Sequence, residues 1–104
     1  MATAEIDSGI CGFGAVVHAR AEGKVVRIEI DSDCPHVRAL AAELTEVSPF
    51  AEISFRGEGP QTFRVAAKHL AHAACPVPVG IIKAIEVEAG LALPKEANIR
   101  PERD

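Results

Sequence analysis

Apolar and polar residues alternate most cleanly after Lys24, where Val26, Ile28 and Ile30 interleave with Arg27, Glu29 and Asp31. A period of two is that of a half-buried strand. The stretch Gly14–Arg20 also reads as a strand, and Ala21-Glu22-Gly23 separates it from Lys24–Asp31. The pair predicts a hairpin, with Gly23 supplying the positive φ that short connections favour. The first ten residues are weakly patterned and read as an edge strand. From Pro35 the period changes. Val37, Leu40, Ala41, Leu44 and Val47 recur at helical spacing, predicting a helix over Pro35–Val47 that Ser48-Pro49 stops. Ala51–Arg56 reads as a short strand and Gly57-Glu58-Gly59-Pro60 as a loop. Phe63, Ala66, Ala67 and Leu70 predict a second helix over Phe63–His72. Pro76 and Pro78 open a third, which carries Ile81, Ile82, Ile85 and Ala89 and is closed by Gly90.

Strands first and helices after is the order of an α+β fold: an antiparallel sheet, made of the hairpin plus edge strands, with helices packed on one face. At 104 residues the chain is one domain, read as residues 1–93 with a charged tail from 94 to 104. The apolar share is 48%, yet there is no Trp or Tyr and only four Phe, so the core must be aliphatic. A formal net charge of −4 gives nucleic acid no electrostatic footprint to bind. No apolar run approaches membrane-spanning length, and the first residues lack a signal-peptide pattern. Together with an odd cysteine count, this makes a reducing compartment, the cytoplasm, the expected location.

The candidate chemistry lies in the three cysteines. Cys34 and Cys75 each stand directly before a proline, in Asp33-Cys34-Pro35-His36 and Ala74-Cys75-Pro76-Val77. Proline suits the first helical position, so both cysteines are expected at helix starts. The positive end of a helix dipole favours a thiolate, the form that ligates metals and attacks electrophiles. Cys11 lies among Gly9, Gly12 and Gly14, just before the hairpin, and Cys34 lies just after it. A hairpin returns to the edge it left, so Cys11 and Cys34 are expected as neighbours, and the helix opening after Cys75 can reach the same edge. Glycines let backbone approach a metal–thiolate centre closely, which makes Gly12 and Gly14 its expected backbone shell. There is no C-x-x-C knuckle, so a site must be assembled from three distant segments. For a fourth ligand the candidates are His72, Asp33 and His36. His69, His72 and Cys75 are spaced by three, one stripe if the second helix persists.

In this order the chain resembles the U-type iron–sulfur cluster scaffolds, the IscU and NifU N-terminal family. Those proteins carry a Cys-Gly before a hairpin, a second Cys at its exit leading into a helix, and a third Cys opening a late helix. Cys11-Gly12, Cys34 and Cys75 match that order over about residues 9–90. Gly80-Ile81-Ile82-Lys83-Ala84-Ile85-Glu86 is similar to the family's closing helix. The family's Asp two residues after its first Cys is Phe13 here, and the His before its third Cys is Ala74. The family's chaperone-recruiting Leu-Pro-Pro-Val-Lys segment has no counterpart before Cys75. The resemblance implies an IscU-like fold and a cluster held by three cysteines; the departures favour a centre that is kept over one that is handed on.

The expectation is therefore a small cytoplasmic protein, a binder more than an enzyme. It holds an iron–sulfur cluster through Cys11, Cys34 and Cys75, for cluster assembly, delivery or use, with protein partners in metal-cluster or redox metabolism. Two alternatives stand beside it: zinc on the same ligands, and thiol chemistry with Cys34 or Cys75 as nucleophile or sulfur acceptor and His36 or His72 as base.

Overall fold

A computed structural model describes residues 1–104. Strand β1 (Ala2–Asp7) leads to the hairpin of β2 (Gly14–Glu22) and β3 (Val25–Ser32). Helix α1 (Pro35–Glu43), a two-residue strand β4 (Glu46–Val47) and the single-turn helix α2 (Pro49–Glu52) follow. Helices α3 (Gln61–His69) and α4 (Val77–Glu88) complete the order. The four strands form one antiparallel sheet in sequence order. The fold is thus α+β, and the expected edge strand and hairpin are both present.

The hairpin closes tightly: Glu22 pairs with Val25, so Gly23 and Lys24 alone make the turn. Gly23 has φ +63° and no non-glycine residue in the chain has a positive φ. Positive φ at the first central position only is the signature of a type II′ turn, whose twist suits a hairpin. The strand periodicity then sorts the faces. Ala15, Val17 and Ala19 of β2 and Val26 and Ile28 of β3 are buried, with Ala4, Ile6 and Ile30 packed beside them. Helix α1 lies on β3, and α4 lies on β1 and β2. In α4 the stripe Val77, Ile81, Ala84 and Ile85 faces the sheet. One face of the sheet is therefore the core and the other is open to solvent. His18 sits on the open face, where its Nδ1 is 3.1 Å from Thr3 Oγ1 of the neighbouring strand.

Three elements differ from what the sequence pattern predicts. The first helix does not run to Val47: Leu44 leaves helical geometry at φ −96°, ψ 85°, and Glu46–Val47 become strand β4. The open edge of β3 offers backbone partners, and Ile28 donates its N–H to Thr45 O at 2.9 Å while Val26 pairs with Val47. The apolar side chains that looked helical, Leu44 and Val47, stay buried either way. The second difference concerns Ala51–Arg56, which is not a strand. Pro49 sits at the first helical position and starts α2 instead. The third concerns the second helix, which spans Gln61–His69 and stops before His72, since Leu70 is already extended at φ −83°, ψ 138°.

Carboxylates tie the helices to one another and to the sheet. Glu43, at the end of α1, accepts bonds from Lys68 Nζ and His69 Nε2 of α3, each at 2.8 Å. Glu88 of α4 accepts the Ala21 N–H at 2.8 Å. The hydrogen bond from Lys68, followed by that from His69, holds the Glu43 carboxyl below the usual glutamate range; the Ala21 N–H does the same for Glu88. A carboxyl whose pKa is depressed in the folded state stabilises fully above its unfolded value, about 4.3. That stabilisation disappears as pH falls through the folded value. The urea midpoint is therefore expected to drop below about pH 4, and the drop should be shallower in a Glu43→Gln/Glu88→Gln variant. Equal pH dependence in the two proteins would show that these ties contribute nothing.

Candidate functional site

Each cysteine is held by a different local device. Cys11 is exposed in the loop Ser8–Phe13 that joins β1 to β2. Gly9 and Gly12 flank it at φ +84° and +77°. The loop bonds mainly to itself: Ser8 N to Phe13 O at 3.1 Å, Gly12 N to Gly9 O at 3.0 Å, and Gly9 N to Asp7 Oδ1 at 2.9 Å. A Cβ on either glycine would meet nothing within 4 Å, so backbone conformation alone requires glycine there. Gly14 is different, because a Cβ on it would lie 3.1 Å from Ile6 O. Its role is a close approach of β2 to β1.

Cys34 is the N-cap residue of α1, half-buried against the core. Its N–H donates to Ser32 Oγ at 3.1 Å, and that hydroxyl donates to Gly14 O at 2.7 Å. Ser32 thus fixes the start of α1 to the start of β2. Cys75 is also half-buried against the core, one residue before Pro76, the N-cap of α4. Its N–H donates to His72 O at 3.2 Å. Both proline-flanked cysteines therefore stand at helix starts, as the sequence predicts.

The fold brings all three segments to one end of the sheet. Asp7 pairs with Gly14, so the Cys11 loop caps that end of β1 and β2. Ser32 pairs with Ala15, so β3 ends there too, with Cys34 two residues on. Gly80, in the first turn of α4, lies directly on the Ile6 side chain, next to the end of β1. The far end of α4 is fixed at the opposite end of the sheet by the bond between Glu88 and Ala21. Helix α4 therefore runs away from the Cys11 loop, and Cys75 precedes its near end.

Within that end, no three His, Cys, Asp or Glu side chains converge as a ligand set. The donor chemistry suits a thiophilic metal, but the side-chain geometry does not yet fit one. Of the candidates for a fourth ligand, Asp33, His36 and His72 are all exposed. Because α3 ends at His69, the helical stripe joining His69, His72 and Cys75 does not exist. His69 is instead engaged with Glu43.

The Gly80 contact gives a direct check on this arrangement. Alanine there would gain about 1 kcal/mol of helix propensity. Its Cβ would overlap the ethyl group of Ile6, and overpacking costs about 1–3 kcal/mol. Gly80→Ala is expected to lower the urea midpoint, and to raise it in an Ile6→Ala background. A change of midpoint that is the same in both backgrounds would mean that α4 is not seated on the end of β1.

The model of the family described as "Family of unknown function (DUF6951)" matches residues 2–101. No curated protein and no solved structure matches the chain.

Proposed function

The chain belongs to this family of unknown function, and from its own residues we propose that Cys11, Cys34 and Cys75 hold an iron–sulfur cluster at the loop end of the sheet, in an IscU-like arrangement. What supports this reading is the meeting of three separate segments, each with one cysteine, at one end of a four-stranded sheet. Three thiolates are the ligand type that iron–sulfur clusters and zinc share. Ligation requires the Ser8–Phe13 loop to carry Cys11 over the ends of β3 and α4. Open space beside Gly9 and Gly12, and hydrogen bonds that close mainly within the loop, leave it free of ties to the rest of the fold. Metal binding would release the thiol protons and so couple to pH. A cytoplasmic protein that keeps such a centre, working with protein partners in cluster or redox metabolism, is the role this implies.

The test is purification without oxygen, followed by iron, zinc and acid-labile sulfide analysis and a visible spectrum. Iron with sulfide and visible absorption supports the cluster. Zinc without colour transfers the same ligands to zinc. Metal-free protein with three titratable thiols defeats both.

A second reading has its own observation. The Cys75 N–H bond to His72 O folds the chain so that His72 and Cys75 bracket one turn. This reading takes Cys75 as nucleophile or sulfur acceptor and His72 as base, and needs the exposed His72 ring to turn to the thiol. Alkylation of Cys75 that abolishes function while leaving metal content unchanged would select it. His18 is remote from either scheme on the open sheet face, so His18→Ala should leave metal content intact by elemental analysis; a loss there would mean a general folding defect.

A further inference from the structure

Three of the four phenylalanines gather around α2 and the start of α3, far in sequence from Cys11. Phe50 and Phe55 are 71% and 81% exposed. Phe55 stacks on Phe63 with ring centroids 5.7 Å apart and planes within 6°. Beside them Ile53 is exposed, and an open depression of about 540 Å³ runs between Phe50, Ile53, Arg56 and Arg64. In a chain this poor in aromatic residues, placing two in water is a cost that packing does not explain.

The patch is held rigidly. Glu52 is 1% exposed, and its carboxylate accepts the N–H groups of Gln61 and Thr62 and the Thr62 hydroxyl, at 2.9, 2.8 and 2.6 Å. It thereby caps α3, whose N-cap residue Pro60 has no side-chain acceptor. With Glu52 turned inward, Phe50 and Ile53 on the same short turn face outward. Arg64 Nη1 donates to Glu58 O and Gly59 O at 3.3 and 2.5 Å, and Gly59 N donates to Arg56 O at 3.1 Å, so the intervening loop is also fixed. A surface ordered before binding loses little entropy on binding.

Charge selects the occupant. The protein is net −4, yet the depression carries two arginines, Arg56 and Arg64, against one carboxylate, Glu58, and neither arginine pairs with a carboxylate, while Arg27 and Lys68 each do. Phenylalanine and arginine are both enriched in protein–protein interfaces. A second copy of this acidic chain is a poorer match than a segment that brings its own carboxylates to the arginines.

We infer that the Phe50–Phe55–Arg56–Arg64 surface docks a partner protein segment that presents apolar side chains flanked by Asp or Glu. This interface is independent of the cysteines.

A phage-displayed library of random dodecapeptides, selected on the full-length protein, tests it. The selected peptides are expected to combine an aromatic or large aliphatic residue with Asp or Glu. Their affinity should fall at least about tenfold on Phe55→Ser, and on Arg56→Glu with a reversed charge preference. Both variants alter exposed side chains, so circular dichroism should match the parent. Three results overturn the proposal: no enrichment, peptides without acidic preference, or binding that Phe55→Ser does not change. Self-association lost on Phe50→Ser, measured by light scattering, assigns the surface to a second copy and overturns it as well.

Discussion

Replacing Glu52 with alanine is expected to destabilise the protein by about 3 kcal/mol. The change removes three hydrogen bonds to a buried carboxylate and leaves the Gln61 and Thr62 donors without partners. Hydrogen bonds to charged groups contribute about 1.5–3 kcal/mol each, and a lost helix cap alone costs about 1 kcal/mol. These terms are not additive, which keeps the expected total well below their sum. For a domain of this size that lowers the melting temperature by roughly 15 °C. Glu52→Gln should fall between the two, because one amide oxygen still accepts while the amide nitrogen faces N–H groups. Thermal unfolding followed by circular dichroism measures both. If Glu52→Ala melts within a degree or two of the parent, α2 and α3 are not joined as described, and the preorganised aromatic surface loses its anchor.

The second large effect concerns metal. Cys34→Ser and Cys75→Ser are each expected to reduce bound iron or zinc to background, since a hydroxyl is a far poorer ligand than thiolate for a soft or borderline metal. Cys11→Ser should do the same, although Cys11 reaches the centre only through its loop. Elemental analysis of the anaerobically purified variants decides this, with circular dichroism to show that each still folds. Cys34 and Cys75 are half-buried against the core, so serine there is a modest perturbation. A variant that folds and keeps its full metal load removes that cysteine from the ligand set. If the single alanine variants of His72, Asp33 and His36 all retain metal, the fourth position is open to an exchangeable ligand.

What the sequence reveals and what it hides divides along physical lines. The hairpin is legible because a period of two over β3 allows one buried face, and Gly23 marks its turn. The starts of α1 and α4 are legible because proline signals the first turn, and this places Cys34 and Cys75 correctly. Strand β4 is not legible. Its two residues pair only because β3 leaves an open edge, a tertiary fact that no window around Glu46 contains. Helix α2 is hidden for a related reason: Ile53 and Phe55 look like core residues of a strand, and they are on the surface. Glu52 is hidden most deeply, since an acid between loops reads as solvent-facing. The signal that could reveal it is Pro60 itself, an N-cap residue with no side-chain acceptor that must borrow one from elsewhere. The expected stripe of His69, His72 and Cys75 fails because a helix pattern does not announce its last turn when Ala71, Ala73 and Ala74 follow.

The central claim is that three thiols from separate segments meet on one metal centre. X-ray absorption at the iron or zinc edge of anaerobically purified protein tests it most directly. The account predicts a sulfur shell at about 2.3 Å, with its sulfur count falling in the Cys34→Ser and Cys75→Ser proteins. A metal bound only by nitrogen and oxygen, or protein that takes up neither metal under reducing conditions while all three cysteines react freely with a thiol reagent, would contradict it.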